Sequence, residues 1–260
     1  MIKSRKKISG GHAAVQSLKK EKVEHVFGLI GSATMEMFDA LYHEKKIKFI
    51  GVRDERTGTH MADGYARASN KPGVIIAGQN GPGATNLVTG IAQAAAAFSP
   101  VVSLAGAISS DHKGKDAFQE VDQVNMMQAV SKKVFEVLDV NEIPDVLDDA
   151  FITAMTPRLG PVHIDLPRDV LGKSSEFVTP QKFKLNKYPT ANETSLNKAF
   201  ELLCKASKPV ILAGGGIKNH GAKATNSFLA LAEILNAPCT TSPGHGDLMP
   251  YAHPLNAGSA

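Results

Sequence analysis

The chain has 260 residues, 43% of them hydrophobic and 21% charged, with a mean hydropathy of −0.10 and a pI near 8.9. That composition describes a soluble globular protein with room for more than one domain, and it excludes a membrane protein, because no apolar window approaches the roughly 20 residues of a membrane span. The net charge of +4 is mild: its cluster "KSRKK" (Lys3 to Lys7) reads as a solvated tail and not as a nucleic-acid arm.

Helix-like sequence follows that run, where a signal peptide would place an apolar core. Cys204 and Cys239 form no close motif and read as reduced, buried thiols of a cytoplasmic protein. From there β-like and helical runs alternate. "GGHAAVQSLKKEKV" is a helix with Ser9 as its cap, and "HVFGLI" a strand. "TMEMFDALYHE" is a helix that places Met37, Phe38 and Leu41 on one face. "IKFIGV" is a strand, "TGTHMADGYARAS" a helix, "PGVIIAG" a strand, "GATNLVTGIAQAAAAF" a helix and "PVVSLAG" a strand. A polar loop, "AISSDHKGKDAFQE", leads to a short helix near Val121 to Ala129. "KVFEVL", "NEIPDVLDDAFITAMT" and "GPVHIDLP" complete a strand, a helix and a buried strand. Apolar strands alternating with helices specify α/β architecture, a doubly wound, mostly parallel sheet covered on both faces.

After residue 172 the texture changes. Residues 173–192, beginning "KSSEFVTPQKFK", are polar, proline-punctuated and without periodicity, as in an interdomain linker. A second Rossmann-like α/β unit spans 193–260: "SLNKAFELLCKAS" (helix), "KPVILAGGGI" (strand and glycine turn), "AKATNSFLALAEILN" (helix) and "APCTTS" (strand). Two strands do not close a sheet, so this unit is expected to be incomplete and the chain to be a piece of a longer polypeptide.

Three strand ends carry glycine-rich turns: "GLIGSATM", "AGQNGPGATN" and "AGGGIKNHGA". Glycine there lets backbone approach a ligand closely, and the amides that follow can bind anions. The third turn fits only the start of GxGxxG, and no P-loop is present. Between the first two turns lies "GVRDERTGTH", which puts Glu55 where a strand hands over to a helix. That is the edge of an open α/β sheet where ligands collect.

These segments carry a resemblance. "DERTGTHMADGYARAS", "NGPGATNLVTGIAQA", "DAFQEVD" and "GPVHIDLPRDV" resemble the N-terminal pyrimidine-binding domain of thiamine diphosphate (ThDP) enzymes, most closely the acetolactate synthase-like group. "KPVILAGGG" and "GHGDLMPYAHPLNAG" resemble the opening of that family's central domain. The resemblance implies a domain over 1–172 and a role for Glu55. In the family this glutamate hydrogen-bonds N1′ of the cofactor's aminopyrimidine and favours the imino tautomer that activates the thiazolium ring. It further implies Gly31 and Ser32 near the reacting centre, and Pro82, Gly83 and Asn86 beside the pyrimidine. Phe118 and Gln119 are implied to reach the substrate side of the cleft, with Gln119 as a second catalytic residue. His60 is read as packed on its helix or facing a subunit contact, and His112 has no assigned role.

The implied activity is ThDP-dependent carboligation of a 2-oxoacid such as pyruvate. Mg²⁺ and the cofactor diphosphate are held in the family by a "GDG" segment that these residues lack. The resemblance therefore implies a homodimer or homotetramer, or a partner chain bearing the diphosphate domain, and no activity without that domain. FAD or ADP sits in some central domains of the family and is left open. "IGSA" and "QNGPG", in place of the usual Pro-Gly-Gly-Ala and Ser-Gly-Pro-Gly, look more like sulfoacetaldehyde acetyltransferases. Acetyl transfer to phosphate is therefore the alternative activity, and a non-catalytic ThDP-fold subunit or a nucleotide-binding protein using "AGGGI" are the alternatives of other classes.

Overall fold

The computed structural model describes residues 6–177 and 190–260. The start of the basic run (residues 1–5) and the stretch 178–189 of the expected linker lie outside the described residues. The chain divides into two compact units, 1–186 and 187–260.

In the first unit the elements are β1 (Lys6–Ser9), α1 (Gly10–Lys20), β2 (His25–Leu29), α2 (Met35–His43), β3 (Lys48–Gly51), α3 (Glu55–Ser69), β4 (Gly73–Ala77) and α4 (Pro82–Ala96). Then follow β5 (Val101–Ala107), α5 (Gln123–Gln128), β6 (Lys133–Glu136), α6 (Ile143–Met155), β7 (Val162–Pro167), α7 (Arg168–Gly172) and β8 (Ser174–Phe177). Six strands form a sheet of order β3-β2-β4-β5-β7-β6, and every pairing in it is parallel. This is the doubly wound sheet that the alternating pattern specifies.

The strands are apolar on both sides because both faces are covered. Val26, Val74, Ile76, Val102, Leu104 and Ile164 pack beneath α1, α2, α6 and α7. Phe27, Ile75, Ala77, Val101 and Ala105 face the opposite way, against α3, α4 and α5. Each fully buried aliphatic side chain contributes about 1.5–3 kcal/mol relative to exposure. Capping sets the helix starts. Ser9 Oγ accepts from the His12 amide at 3.3 Å, as the sequence indicates. Asp54 accepts from the Arg56 amide at 2.8 Å, so α3 begins at Glu55, ahead of the "TGTHM" spacing. Asn70, with φ 55°, ends the helix in the left-handed conformation.

The sequence reading differs from the structure in three places. Lys6 and Lys7 belong to β1, which pairs antiparallel with β8. The end of the basic run is therefore a strand and not a tail, and residues 174–177 of the expected linker belong to the first unit. Ile8 and Phe177 anchor this ribbon on the core, and one inward residue per strand is too little to register as periodicity. In the second unit α8 (Glu193–Lys205), β9 (Ile211–Ala213), α9 (Gly215–Asn219), α10 (Gly221–Leu235) and β10 (Cys239–Thr241) are followed by β11 (Asn256–Ser259). The sheet is three-stranded and parallel, in the order β11-β10-β9. The third strand reads "NAGS", a polar sequence that pairs through its backbone, with Thr240 Oγ1 donating to the Gly258 carbonyl and Ser259 Oγ to the Thr241 carbonyl. Finally, Cys239 is buried but Cys204 is exposed, and both are free thiols.

Across α1 and α6, Lys20 is ion-paired to Asp148. The Asp148 side chain is buried, and its other carboxylate oxygen, Oδ1, has no hydrogen-bond partner among the described residues. Burial pushes this carboxyl above its ordinary pKa, and the neighbouring Lys20 opposes the shift. No helix among the described residues is long and apolar enough to cross a membrane.

Candidate active site

The sheet opens a crevice by its topology. β2 leads into α2 on one face, and its neighbour β4 leads into α4 on the other. Chains that leave adjacent strand ends in opposite directions part there, at the switch point where ligands bind in such sheets. Gly31 and Gly78 form the floor. A Cβ on Gly31 would lie 2.4 Å from the Gly78 carbonyl carbon, and one on Gly78 would lie 2.2 Å from the Gly31 nitrogen. Gly31 is extended, with φ −152°, so glycine is needed here for close approach and not for its conformation. The Gly78 carbonyl accepts from the Ala33 amide at 3.1 Å and from Thr34 Oγ1 at 3.2 Å. Gly78→Ala is therefore expected to push two backbones apart and destabilise the first unit by about 1–3 kcal/mol. A shift of the urea midpoint at unchanged slope measures that loss.

Glu55 stands beside this floor as the first residue of α3 and is only 4% exposed. Asn86, one turn into α4, donates its Nδ2–H to Glu55 Oε2 at 3.0 Å. Glu55 Oε1 faces Gly83, where an added Cβ would come within 3.2 Å of it. Pro82 occupies the first turn of α4, a position that loses nothing from its missing N–H. Glu55, Gly83 and Asn86 thus form one cluster, with Pro82 exposed at its rim. A carboxyl held by one donor, with its second oxygen against a residue that has no side chain, is a cradle for a flat group that shares a proton. The donor set fits an aminopyrimidine.

A second cluster joins the first turn to the polar loop. Ser32 Oγ donates to Gln79 Oε1 at 2.8 Å, and Gln79 Nε2 donates to Gln119 Oε1 at 2.9 Å. Asn80 Nδ2 donates to the carbonyls of Phe118 and Gln119 at 3.0 and 3.1 Å. Glu120 closes the loop by accepting the amides of Gly114 at 2.6 Å and Ala117 at 3.0 Å. Those amides hold its carboxyl below the usual carboxylate range. Phe118, presented by this loop, is 80% exposed, and Gln119 has φ 58°. The position of a Cβ on Gly83 would also lie 3.3 Å from Gln79 Cβ, so the two clusters share a wall. His60 is exposed on α3 and His112 on the loop, and neither reaches Glu55. The sequence marks Asn80 only as a departure from the usual Ser-Gly-Pro-Gly, and it does not mark Gln79 or Glu120. Their signal is a polar pair directly after an apolar strand, and an acid after the "AFQ" tip.

Comparison with known proteins identifies the family. Residues 8–126 match the model of the thiamine pyrophosphate enzyme N-terminal TPP-binding domain. Residues 196–260 match the thiamine pyrophosphate enzyme central domain. The chain belongs to the thiamine diphosphate enzyme family. Among its relatives it is similar to a "Probable acetolactate synthase large subunit" of Methanococcus aeolicus, 43% identical over 96% of this chain and 42% of that protein. A protein of the same name from Methanocaldococcus jannaschii is 40% identical over 96% of this chain and 43% of its own length. The "Acetolactate synthase large subunit" of Lactococcus lactis is 37% identical over all of this chain and 45% of its own length. The chain thus spans less than half the length of these relatives.

Proposed function

We propose that this chain supplies the pyrimidine-binding half of a ThDP-dependent carboligase of the acetolactate synthase type, acting on a 2-oxoacid such as pyruvate. The observation that carries the reading is the buried Glu55 carboxyl, bonded to Asn86 and set against Gly83 at the β2/β4 crevice. Bound ThDP supplies the electron sink that this chemistry requires.

The chain's own residues do the rest. Glu55 holds and shares a proton at N1′ of the pyrimidine, and its burial keeps water from competing for that proton. Asn86 fixes the carboxyl by donating to Oε2, which leaves Oε1 on the Gly83 side. Pro82 and Gly83 shape the wall beside the ring, and Gly31 with Ser32 bring backbone and hydroxyl to the reacting end. Gln119 acts as the second catalytic residue, its amide oriented by Gln79, and Phe118 bounds the substrate side. The diphosphate and its Mg²⁺ belong to a diphosphate-binding region, on the same or a partner polypeptide.

Assembly as a homodimer or homotetramer is part of this reading. The exposed positions of α4 include Thr85, Asn86, Thr89, Ala92, Gln93 and Ala96, a face without charge that suits burial against another protein surface. A cytoplasmic location completes it. The test is turnover by the protein that carries this chain, with ThDP and Mg²⁺, on pyruvate and separately on sulfoacetaldehyde with phosphate. Acetolactate is the expected product. Acetyl phosphate instead would assign Ser32 and Asn80 to a different acceptor. Neither product, together with no ThDP binding, would leave a non-catalytic module.

A further inference from the structure

One buried side chain next to this site is used by nothing above. Gln123, the first residue of α5, is 3% exposed. Its Nε2 donates to the Gly106 carbonyl at 3.2 Å and to Asp165 Oδ1 at 2.5 Å. Its Oε1 accepts from the Gly81 amide at 2.6 Å. Two acceptors on one side and one donor on the other leave the amide a single satisfied orientation. Asp165 is held in turn by His163 Nε2 at 3.2 Å, and His163 Nδ1 lies 2.9 Å from Ser103 Oγ. Ser103 and His163 are fully buried, so this Ser–His–Asp row meets no substrate and serves as a rigid support behind Gln123.

Gly81 is the pivot of the "QNGPG" turn. It has φ 56° and ψ −102°, a conformation that glycine alone adopts without strain. An added Cβ there would meet the Gln119 carbonyl at 2.0 Å. Its own carbonyl accepts the Thr85 amide at 2.8 Å and starts α4, and Asn86 follows directly. We propose that Gln123 is a positioning residue of this site: its side-chain amide fixes the Gly81–Gly83 turn and, through it, the placement of Asn86 and Gly83 around Glu55. The catalytic consequence rests on the proposed function, but the positioning itself does not.

The conservative variant separates positioning from packing. Gln123→Glu keeps size and shape but replaces the donor end by an oxygen facing two acceptors. While ionised, that oxygen is repelled by Asp165 and by the Gly106 carbonyl. Once protonated, it can donate to Asp165 while its partner oxygen still accepts from Gly81. The other titratable groups nearby are already engaged: Lys113 with Glu136, Asp122 with Asn125, Glu120 with its loop amides, and His163 with Asp165. Asp165 is therefore the carboxylate that the new one meets.

The experiment is amide hydrogen exchange on the chain itself, without cofactor, comparing Gln123→Leu and Gln123→Glu with the parent at about pH 8 and about pH 5.5. Taking each ratio at one pH removes the intrinsic pH dependence of exchange. Gln123→Leu is expected to speed exchange over residues 81–86 by about tenfold or more at both pH values, with β2 and α2 unchanged. Gln123→Glu is expected to match Gln123→Leu at the higher pH and to approach the parent at the lower one. Parent-like exchange over 81–86 in Gln123→Leu, or in Gln123→Glu at both pH values, would overturn the inference. If Gln123→Leu does not fold, the pH response of Gln123→Glu decides alone. No cofactor enters the measurement, so its outcome is independent of whether ThDP turnover is found.

Discussion

Glu55→Gln is expected to lower the proposed ThDP-dependent turnover by about 10²- to 10⁴-fold, the span that a positioned proton-transfer group contributes, and to leave the thermal midpoint within a few degrees of the parent. The variant keeps the side chain's shape, and its amide oxygen can still accept from Asn86 Nδ2, which lies 3.0 Å from the carboxylate in the parent. It removes an ionisable oxygen from the Gly83 side, and an amide cannot share a proton with a ring nitrogen as a carboxyl does. Steady-state kinetics and a thermal melt on the same preparation separate the effects. Unchanged turnover would sink the role proposed for Glu55. A collapse of the melt would make Glu55 a structural residue that ties α3 to α4.

The largest stability effect is expected far from that site, at the Lys20–Asp148 pair. Lys20→Met leaves the Asp148 carboxyl buried without its cation, and loss of one partner of a buried pair costs about 3–5 kcal/mol. For a unit of this size that corresponds to a fall of roughly 6–20 °C in the thermal midpoint. The pH dependence has a definite sign. Burial, the largest cause, holds the Asp148 carboxyl above its ordinary pKa, with Asp145 and Asp149 adding repulsion and Lys20 opposing. The folded protein therefore binds this proton more tightly than the unfolded chain does. Stability is lost as pH rises from the unfolded pKa through the folded one, and recovered as pH falls. Removing Lys20 raises the folded pKa further, so the deficit of Lys20→Met is widest at neutral pH and narrows in acid. Urea denaturation at about pH 7.5 and about pH 5 reads this directly. A deficit equal at both pH values would mean that Lys20 acts through its aliphatic stem and not its charge.

Much of this molecule was legible in the sequence. Hydrophobic runs such as "PGVIIAG" and "PVVSLAG" specify strands buried on both faces, since only helices on each side would shelter them. Met37, Phe38 and Leu41 give α2 its inward face, and Ser9 its neighbouring helix its start. The place of Glu55 was legible because a carboxylate between an apolar strand and a helix stands out locally; the role proposed for it comes from the resemblance of the surrounding motif. The edge ribbon of β1 and β8 and the strand "NAGS" were not legible, because their pairing uses backbone groups that every residue carries.

The fine structure of the site was decided by tertiary contacts alone. Gly31 and Gly78 are required by each other, not by any turn that either forms. Gln79, Asn80 and Glu120 acquire their roles only when the loop folds back onto the "QNGPG" turn. Gln123 meets Gly81, Gly106 and Asp165 from three separate segments of chain. A sequence by itself determines which groups can donate, accept or be buried. Which donor meets which acceptor is settled only when the sheet brings distant strand ends within hydrogen-bonding distance, because that interaction acts over about 3 Å and carries no signature along the chain.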